Sequence, residues 1–467
     1  MDRIIRDRRG QLMLFMVMIF ATFMDGLDGT IVSVVLPDMA AFFDISTGDS
    51  SWIITVYFLA MAGLILIFGK ICDNGAIKNV LMYGLAVFTV GSILCGFSVS
   101  FPMLLASRAV QGVGAAMLAC SAIMLTVKFL PKELTAMGLV ATGAGYSLGS
   151  AFGPALGGII SETMSWEWIF FINVPVGIMA IVATWRIIPH DEFRGMSGFD
   201  FKGAALLFVA LVAGMYCLES APSHGVTPLS LILMAVFAVS FASFIVRSLR
   251  VDDPVVELGL FRLWRMDASI VVFVIANLCY MGCLYLLPFY ITKVLGYGTM
   301  ESGFFILIAG AVTLVVSLKA GQLIVGYGSR VFAIASCVML TAASLLLAFV
   351  QVDPVPVMVV SLVLLGLMWG FGGGSMGERI INNVPDEKRG AGSSLNTFFI
   401  YFGAALGTAT YSALFNVGSG SAGQSILELS PDVFMDGFVF AMLVGTVLCA
   451  VAVFMAWIVG RDGVDSE

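Results

Sequence analysis

MDGLDGTIVSVVLP, residues 24–37, lies in an apolar stretch from 11 to 36 and carries two acids, Asp25 and Asp28. Each Asp near a bilayer midplane costs about 2.5–3.5 kcal/mol on insertion scales, so two in one span imply a use. The rest of the chain fits that setting. Of 467 residues, 60% are hydrophobic and 11% charged, with a mean hydropathy of +1.03, against roughly 25% charged residues in soluble domains. The chain is expected to be an all-α polytopic membrane protein.

Segments long enough to cross about 30 Å of hydrocarbon fall at 11–36, 52–70, 79–99, 102–127, 135–160, 166–188, 202–219, 229–248, 266–290, 300–320, 331–350, 355–376, 391–415 and 435–458. Fourteen spans put both termini on one side of the membrane. Of the 23 Lys and Arg, all but Arg108 and Lys293 fall in the terminal arms or beside loops after even-numbered spans, among them Arg3, Arg6, Arg8, Arg9, Lys128, Lys132, Arg262, Arg265, Lys388 and Arg389. The positive-inside rule then makes both termini cytoplasmic, and the protein multi-pass in the cell membrane. The net charge of -7 says little about partners, because acids such as Asp38, Asp44, Asp49 and Glu162 gather in the outer loops. The basic N-terminus resembles a signal peptide, but the span is too long and carries Asp, so it reads as an uncleaved first helix.

The eight cysteines are scattered without CxxC, and the two histidines, His190 and His224, lie in loops. Cys279 and Cys283 share a helix face, where small apolar packing is the economical assignment. Neither a metal centre nor a His-based catalytic site is visible, and the short loops leave no room for a soluble catalytic domain.

Internal similarity divides the chain. GKICDNGAIK from Gly69 matches GQLIVGYGSR from Gly321, GPALGG from Gly153 matches GAALGT from Gly403, and PKELTAMG from Pro131 matches PDEKRGAG from Pro385, all at nearly one separation. That regularity is the mark of duplication. The expected arrangement is a six-helix half over 1–190, a linker with inserted helices 7 and 8 over 191–255, and a second six-helix half over 256–467. Such halves are related by a pseudo-two-fold axis, with the binding site between them at midplane.

Five motifs resemble the 14-helix drug:proton antiporter branch of the major facilitator superfamily. LDGTIVSVVLP, Leu27 to Pro37, is similar to the branch's LDxTIVNVALP, with Ser33 in place of Asn. GKICDNGAIK retains Gly69, Asp73 and Lys78 of GxLaDrxGrk but has Asn74 and Ile77 at basic positions and Ala76 for Gly. LLASRAVQGVGAA resembles the motif that sets an Arg in the membrane, here Arg108 with Gln111 and Gly112. GYSLGSAFGPALGG resembles the antiporter motif gxxxGPxxGG, covering Gly145, Gly149, Gly153, Pro154, Gly157 and Gly158. WEWIFFINVPVG, Trp166 to Gly177, is similar to WRWIFxINVPxG, with Glu167 for Arg.

The resemblance implies proton-coupled efflux of lipophilic or cationic compounds by alternating access. Its expected partners are that small molecule, protons and lipids. Neither nucleic acid nor a cofactor is expected, and the chain is expected to work as a monomer. It also implies that Asp28 is the coupling acid, that the Gly69 loop latches the two halves, and that the glycine stripe favours exchange. Independently, two carboxylates at i, i+3 stand about 5–6 Å apart, so in a poorly hydrated cavity the pair is expected to titrate as a unit. The alternative is that Asp28 works alone. Arg108 and Gln111 are expected to hold the ionised acids, and Asp73 to cap the next helix. Tyr57, Tyr146, Tyr280, Tyr285 and Trp369 are candidates for the pocket, though packing explains any one of them. Glu219 and Glu378, at the ends of their spans, read as interface anchors with a lesser claim to the site. Export of one metabolite is the competing reading; a channel or membrane enzyme would need a selectivity ring or a catalytic cluster, and neither is present in the sequence.

Overall fold

The computed structural model describes residues 4–459 apart from 6, 190–194, 196–198, 226, 263 and 385–388. Arg3, Arg6, Lys388, His190 and the repeat beginning at Pro385 lie outside the described residues. The described residues form fourteen long helices: α1 Arg8–Phe42, α2 Trp52–Asp73, α3 Ile77–Gly96, α4 Phe101–Phe129, α5 Lys132–Thr163, α6 Asn173–Ile187, α7 Phe201–His224, α8 Pro228–Ser248, α9 Trp264–Phe289, α10 Thr299–Tyr327, α11 Ser329–Ala348, α12 Pro354–Asn382, α13 Arg389–Ser419 and α14 Pro431–Ile458. Among the described residues, thirteen segments are long and apolar enough to cross a membrane. The other is α5, 32 residues long, whose stripe of Gly, Ser and Thr trades hydropathy for close packing.

Packing repeats at a step of eight helices. In the first half α1 packs on α5, α2 on α4, and α3 on α4 and α6; in the second α9 packs on α13, α10 on α12, and α11 on α12 and α14. The halves meet through α5 with α10 and α2 with α13, two contacts that the same relation exchanges. The inserted α7 packs on α8, α2 and α13. Phe152 of α5 and Phe304 of α10 stay exposed on the surface of the bundle.

Local chemistry explains the joints. Gly75, between α2 and α3, has φ +100°, and Gly328, between α10 and α11, has φ +85°; both reverse the chain in a conformation costly for any side chain. On α5, a Cβ at Gly149 would run into the carbonyl oxygen of Phe23, and one at Gly157 would come within 2.8 Å of the Ile31 carbonyl oxygen. The stripe therefore lies on α1, the helix that carries the two acids. Pro154 and Gly158 face α10: the Pro154 carbonyl abuts Gly303, and a Cβ on Gly158 would approach the Thr299 carbonyl to 2.5 Å.

The Ile5 amide bonds the Phe129 carbonyl at 2.9 Å, so the start of α1 and the end of α4 share a side. The opposite side, which the charge distribution assigns to the outside, is closed by bonds between halves. Tyr285 donates to the Thr47 carbonyl, Ser412 to that of Gly48 (3.0 Å) and Thr299 to Asp38 (2.9 Å); Thr55 and Thr408 hydroxyls pair at 2.9 Å. Ser46 and Ser425 form an antiparallel bridge.

Candidate functional site

Asp25 is the central residue of α1, and Asp28 follows one turn later, yet the two acids do not share an environment. Asp28 is fully buried and Asp25 is 4% exposed. The Asp28 carboxylate receives Arg108 Nη1 at 2.6 Å, Gln111 Nε2 at 2.7 Å and Asn173 Nδ2 at 3.2 Å. Arg108, itself 1% exposed, donates Nε to the Ile53 carbonyl at 3.0 Å and Nη1 to Gln111 Oε1 at 2.7 Å. Its guanidinium lies 4.1 Å from the centroid of the Tyr57 ring, a cation–π contact in a dry setting. Gln111 passes the network on to Ser92 at 2.9 Å, whose hydroxyl ends it on the Phe88 carbonyl at 2.9 Å. Charge and hydrogen bonds around Asp28 are thus balanced inside the first half.

Asp25 faces the second half. Its Oδ2 accepts the Tyr401 phenol of α13 at 2.9 Å, and its Oδ1 accepts the Tyr57 phenol at 3.5 Å. Among the described residues no Lys or Arg pairs with it. Arg108 and Gln111 therefore restrain Asp28 and not Asp25. The reason lies in the helix: three residues turn it by about 300°, which points Asp28 at α4 and α6 and Asp25 at α2 and α13.

Two cavities flank this centre. One of about 60 Å³ lies among α1, α5, α9, α10 and α12, lined by Ser33, Tyr146, Ser150, Tyr280, Thr313 and Trp369. Tyr280 and Trp369 stack there at 5.0 Å and 10°. The other, about 440 Å³, opens at the inner ends of α2, α4 and α13 and is lined by Gly69, Lys70, Asp73, Asp253, Glu257 and Thr397 among others. Drug-sized ligands occupy pockets of about 300–1,000 Å³, so of these two cavities the inner one has the room.

The remaining sequence candidates are spread out. Gly69 has open space where a Cβ would be. Asp73 is exposed, and the α3 N-cap is Ala76, with no side-chain cap; the positive φ of Gly75 makes that turn instead. Lys78 is buried and donates to the Trp185 and Ile188 carbonyls at 3.1 and 2.5 Å. It neutralises the carbonyl end of α6 within its own half. One contact beyond the half runs from Lys70 to Asp253, at 2.7 Å, in the segment after α8. Tyr285 belongs to the outer closure. Glu378 is exposed and accepts Asn382 at 3.3 Å, as an anchor at a helix end does. Glu219 is no such anchor: it is buried against protein.

Asn173 and Tyr401 were missed as site residues. Asn173 stands in the INVPVG motif, which was signal enough. Tyr401 comes from the other half and carries no local signal.

A two-half bundle with acids at its midplane, closed on one side and hollow on the other, defines a membrane transporter that works between two faces. Residues 18–408 match the Major Facilitator Superfamily, and the chain belongs to that family of small-molecule transporters. It is 29% identical over 395 residues to the riboflavin transporter RibZ of Clostridioides difficile (strain 630), covering 84% of this chain and 86% of that one. It is 32% identical over 399 residues to the tetracenomycin C resistance and export protein of Streptomyces glaucescens, covering 84% and 73%; this likeness puts it with the drug-efflux members. The D-xylose-proton symporter shares the fold, with a TM-score of 0.68 at 13% identity over 97% of this chain and 98% of that one.

Proposed function

We propose that this protein is a proton-coupled exporter of lipophilic, cationic compounds, set in the cell membrane with both termini cytoplasmic and working by alternating access without a cofactor. The observation that carries the reading is the position of Asp25: a buried carboxylate between the halves with phenols for partners and, among the described residues, no basic counter-charge. A proton is the counter-charge that can come and go there. With the outer side closed, solute enters through the inner cavity, whose acids Asp73, Asp253 and Glu257 outnumber Lys70. Rocking of the halves separates Asp25 from Tyr401, opens the site outward, and lets a proton replace the cation. Asp28, locked to Arg108, keeps α1, α4 and α6 together through the cycle. A proton entering through 100 mV gains about 2.3 kcal/mol, and a pH unit adds about 1.4. For a neutral solute exchanged one for one, that sustains a gradient of a few hundredfold; for a monovalent cation the electrical part cancels and about tenfold remains.

The test is proton flux in proteoliposomes loaded with a pH dye. Addition of a cationic amphiphile is expected to release protons through the wild type and not through Asp25→Asn, which still exchanges labelled for unlabelled solute. Exchange without proton movement in the wild type overturns the coupling. A second reading, export of one planar metabolite, is supported by the stacked Tyr280 and Trp369 in a hydroxyl-lined cavity and by the likeness to a riboflavin transporter. Neutral planar solutes that drive proton flux while cationic amphiphiles do not would decide for it.

A further inference from the structure

Glu219 lies at the outer end of α7, and the proposed cycle gives it no task. One turn earlier Tyr216 meets Trp52, at the start of α2, with ring centroids 6.0 Å apart. Glu219 is 3% exposed, and neither carboxylate oxygen has a hydrogen-bond partner. The hydroxyls of Ser220, beside it, and of Thr47, in the turn Thr47–Ser50 that precedes α2, are likewise buried and unpartnered. The carboxyl is within electrostatic reach of Asp49 in that turn, and the Tyr285 phenol of α9 is within reach of it. This is the turn whose carbonyls accept Tyr285 and Ser412 from the other half.

We propose that Glu219 is a proton-binding site, loaded from the outside, that holds the outer gate shut. An ionised carboxylate enclosed without donor or counter-ion costs several kcal/mol. A bound proton removes that charge and turns the acid into a hydrogen-bond donor. Opening of the gate admits water, which stabilises the ionised form. The closed state therefore binds the proton more tightly than the open state, and by linkage a fall in outside pH favours closure. The proton returns to the side it came from, so the site regulates without adding to the transported charge. Among the described residues, Asp49, held by Ser46 at 2.7 Å, adds like charge, and the Tyr285 phenol is the other titratable group in reach; α13 sets Ser412 and Asn416 against the same turn, and Cys217 of α7 donates to the Ser230 carbonyl of α8. This also gives the inserted pair a role: α7 brings to the gate an acid that neither six-helix half contains.

Hydrogen–deuterium exchange of the segment 43–55 in lipid nanodiscs, corrected for intrinsic rate, reads the gate directly and needs no substrate. The full-length wild type is expected to lose protection as pH rises, by at most about tenfold per pH unit, the limit for one proton. Glu219→Gln is expected to keep the low-pH protection at every pH. A flat wild-type profile overturns the proposal even if the variant does not fold, as does a pH dependence that survives in Glu219→Gln. Protection that follows sodium concentration and not pH overturns it too, since the site would then bind a metal ion. Solute-driven proton release in proteoliposomes is a separate readout that the exchange profile does not use, so failure of the proton-coupled export reading and failure of this one are separable.

Discussion

Asp28 and Arg108 form a fully buried ion pair in which both oxygens of the carboxylate accept hydrogen bonds. Removing one member of such a pair strands the other charge, at about 3–5 kcal/mol. Asp28→Asn is therefore expected to lower the thermal midpoint in detergent by several degrees, and to abolish transport along with stability. Asp25→Asn removes a carboxylate that has only phenol partners, and is expected to leave the midpoint within a degree or two. Thermal unfolding of both variants checks the contrast; equal losses would mean the two acids share one role. The sequence made both acids conspicuous, since charge in an apolar span needs a partner. It could not separate them, because i, i+3 spacing fixes their proximity and not the helices that surround each. Tyr401 is 376 residues from Asp25, beyond any local pattern, and the burial of Glu219 depends on how α7 docks, which composition does not encode.

At the scale of helices, the glycine stripe of α5 and Gly69 of α2 differ in what surrounds them. Gly149→Val drives its side chain into the Phe23 carbonyl and is expected to separate α5 from α1, costing several kcal/mol and the folded yield. Gly69→Ala meets nothing within 4 Å, and in a helix it is expected to be neutral or to stabilise by up to about 1 kcal/mol. Size-exclusion profiles and melting curves of the two variants measure the difference. The fourteen spans were readable because each apolar run exceeds the bilayer thickness. α5 falls short of the other spans in hydropathy, and Asp73 does not cap α3: Gly75 makes the turn, Ala76 stands at the N-cap, and Lys78 closes α6.

For the whole molecule, the outer closure is a set of bonds that must break together for the opposite state to form. Ser46 and Ser425 face each other in an antiparallel bridge, at a spacing compatible with a disulfide. Ser46→Cys with Ser425→Cys is expected to cross-link on oxidation and arrest transport, with activity restored by reductant; full activity of the cross-linked protein would show that these segments stay together through the cycle. The halves themselves were legible as a repeat, because duplication leaves matching turns. The docking of the insert was not. Its placement gives the molecule a left and a right in the plane of the membrane. On one flank α7 and α8 form a second wall over α2 and α13; on the other, among the described residues, α5 and α10 meet with no helix beyond them, and Phe152 and Phe304 are exposed on the surface that a membrane would cover. A solute already dissolved in the bilayer meets a double barrier from one direction and a single helix–helix contact from the other.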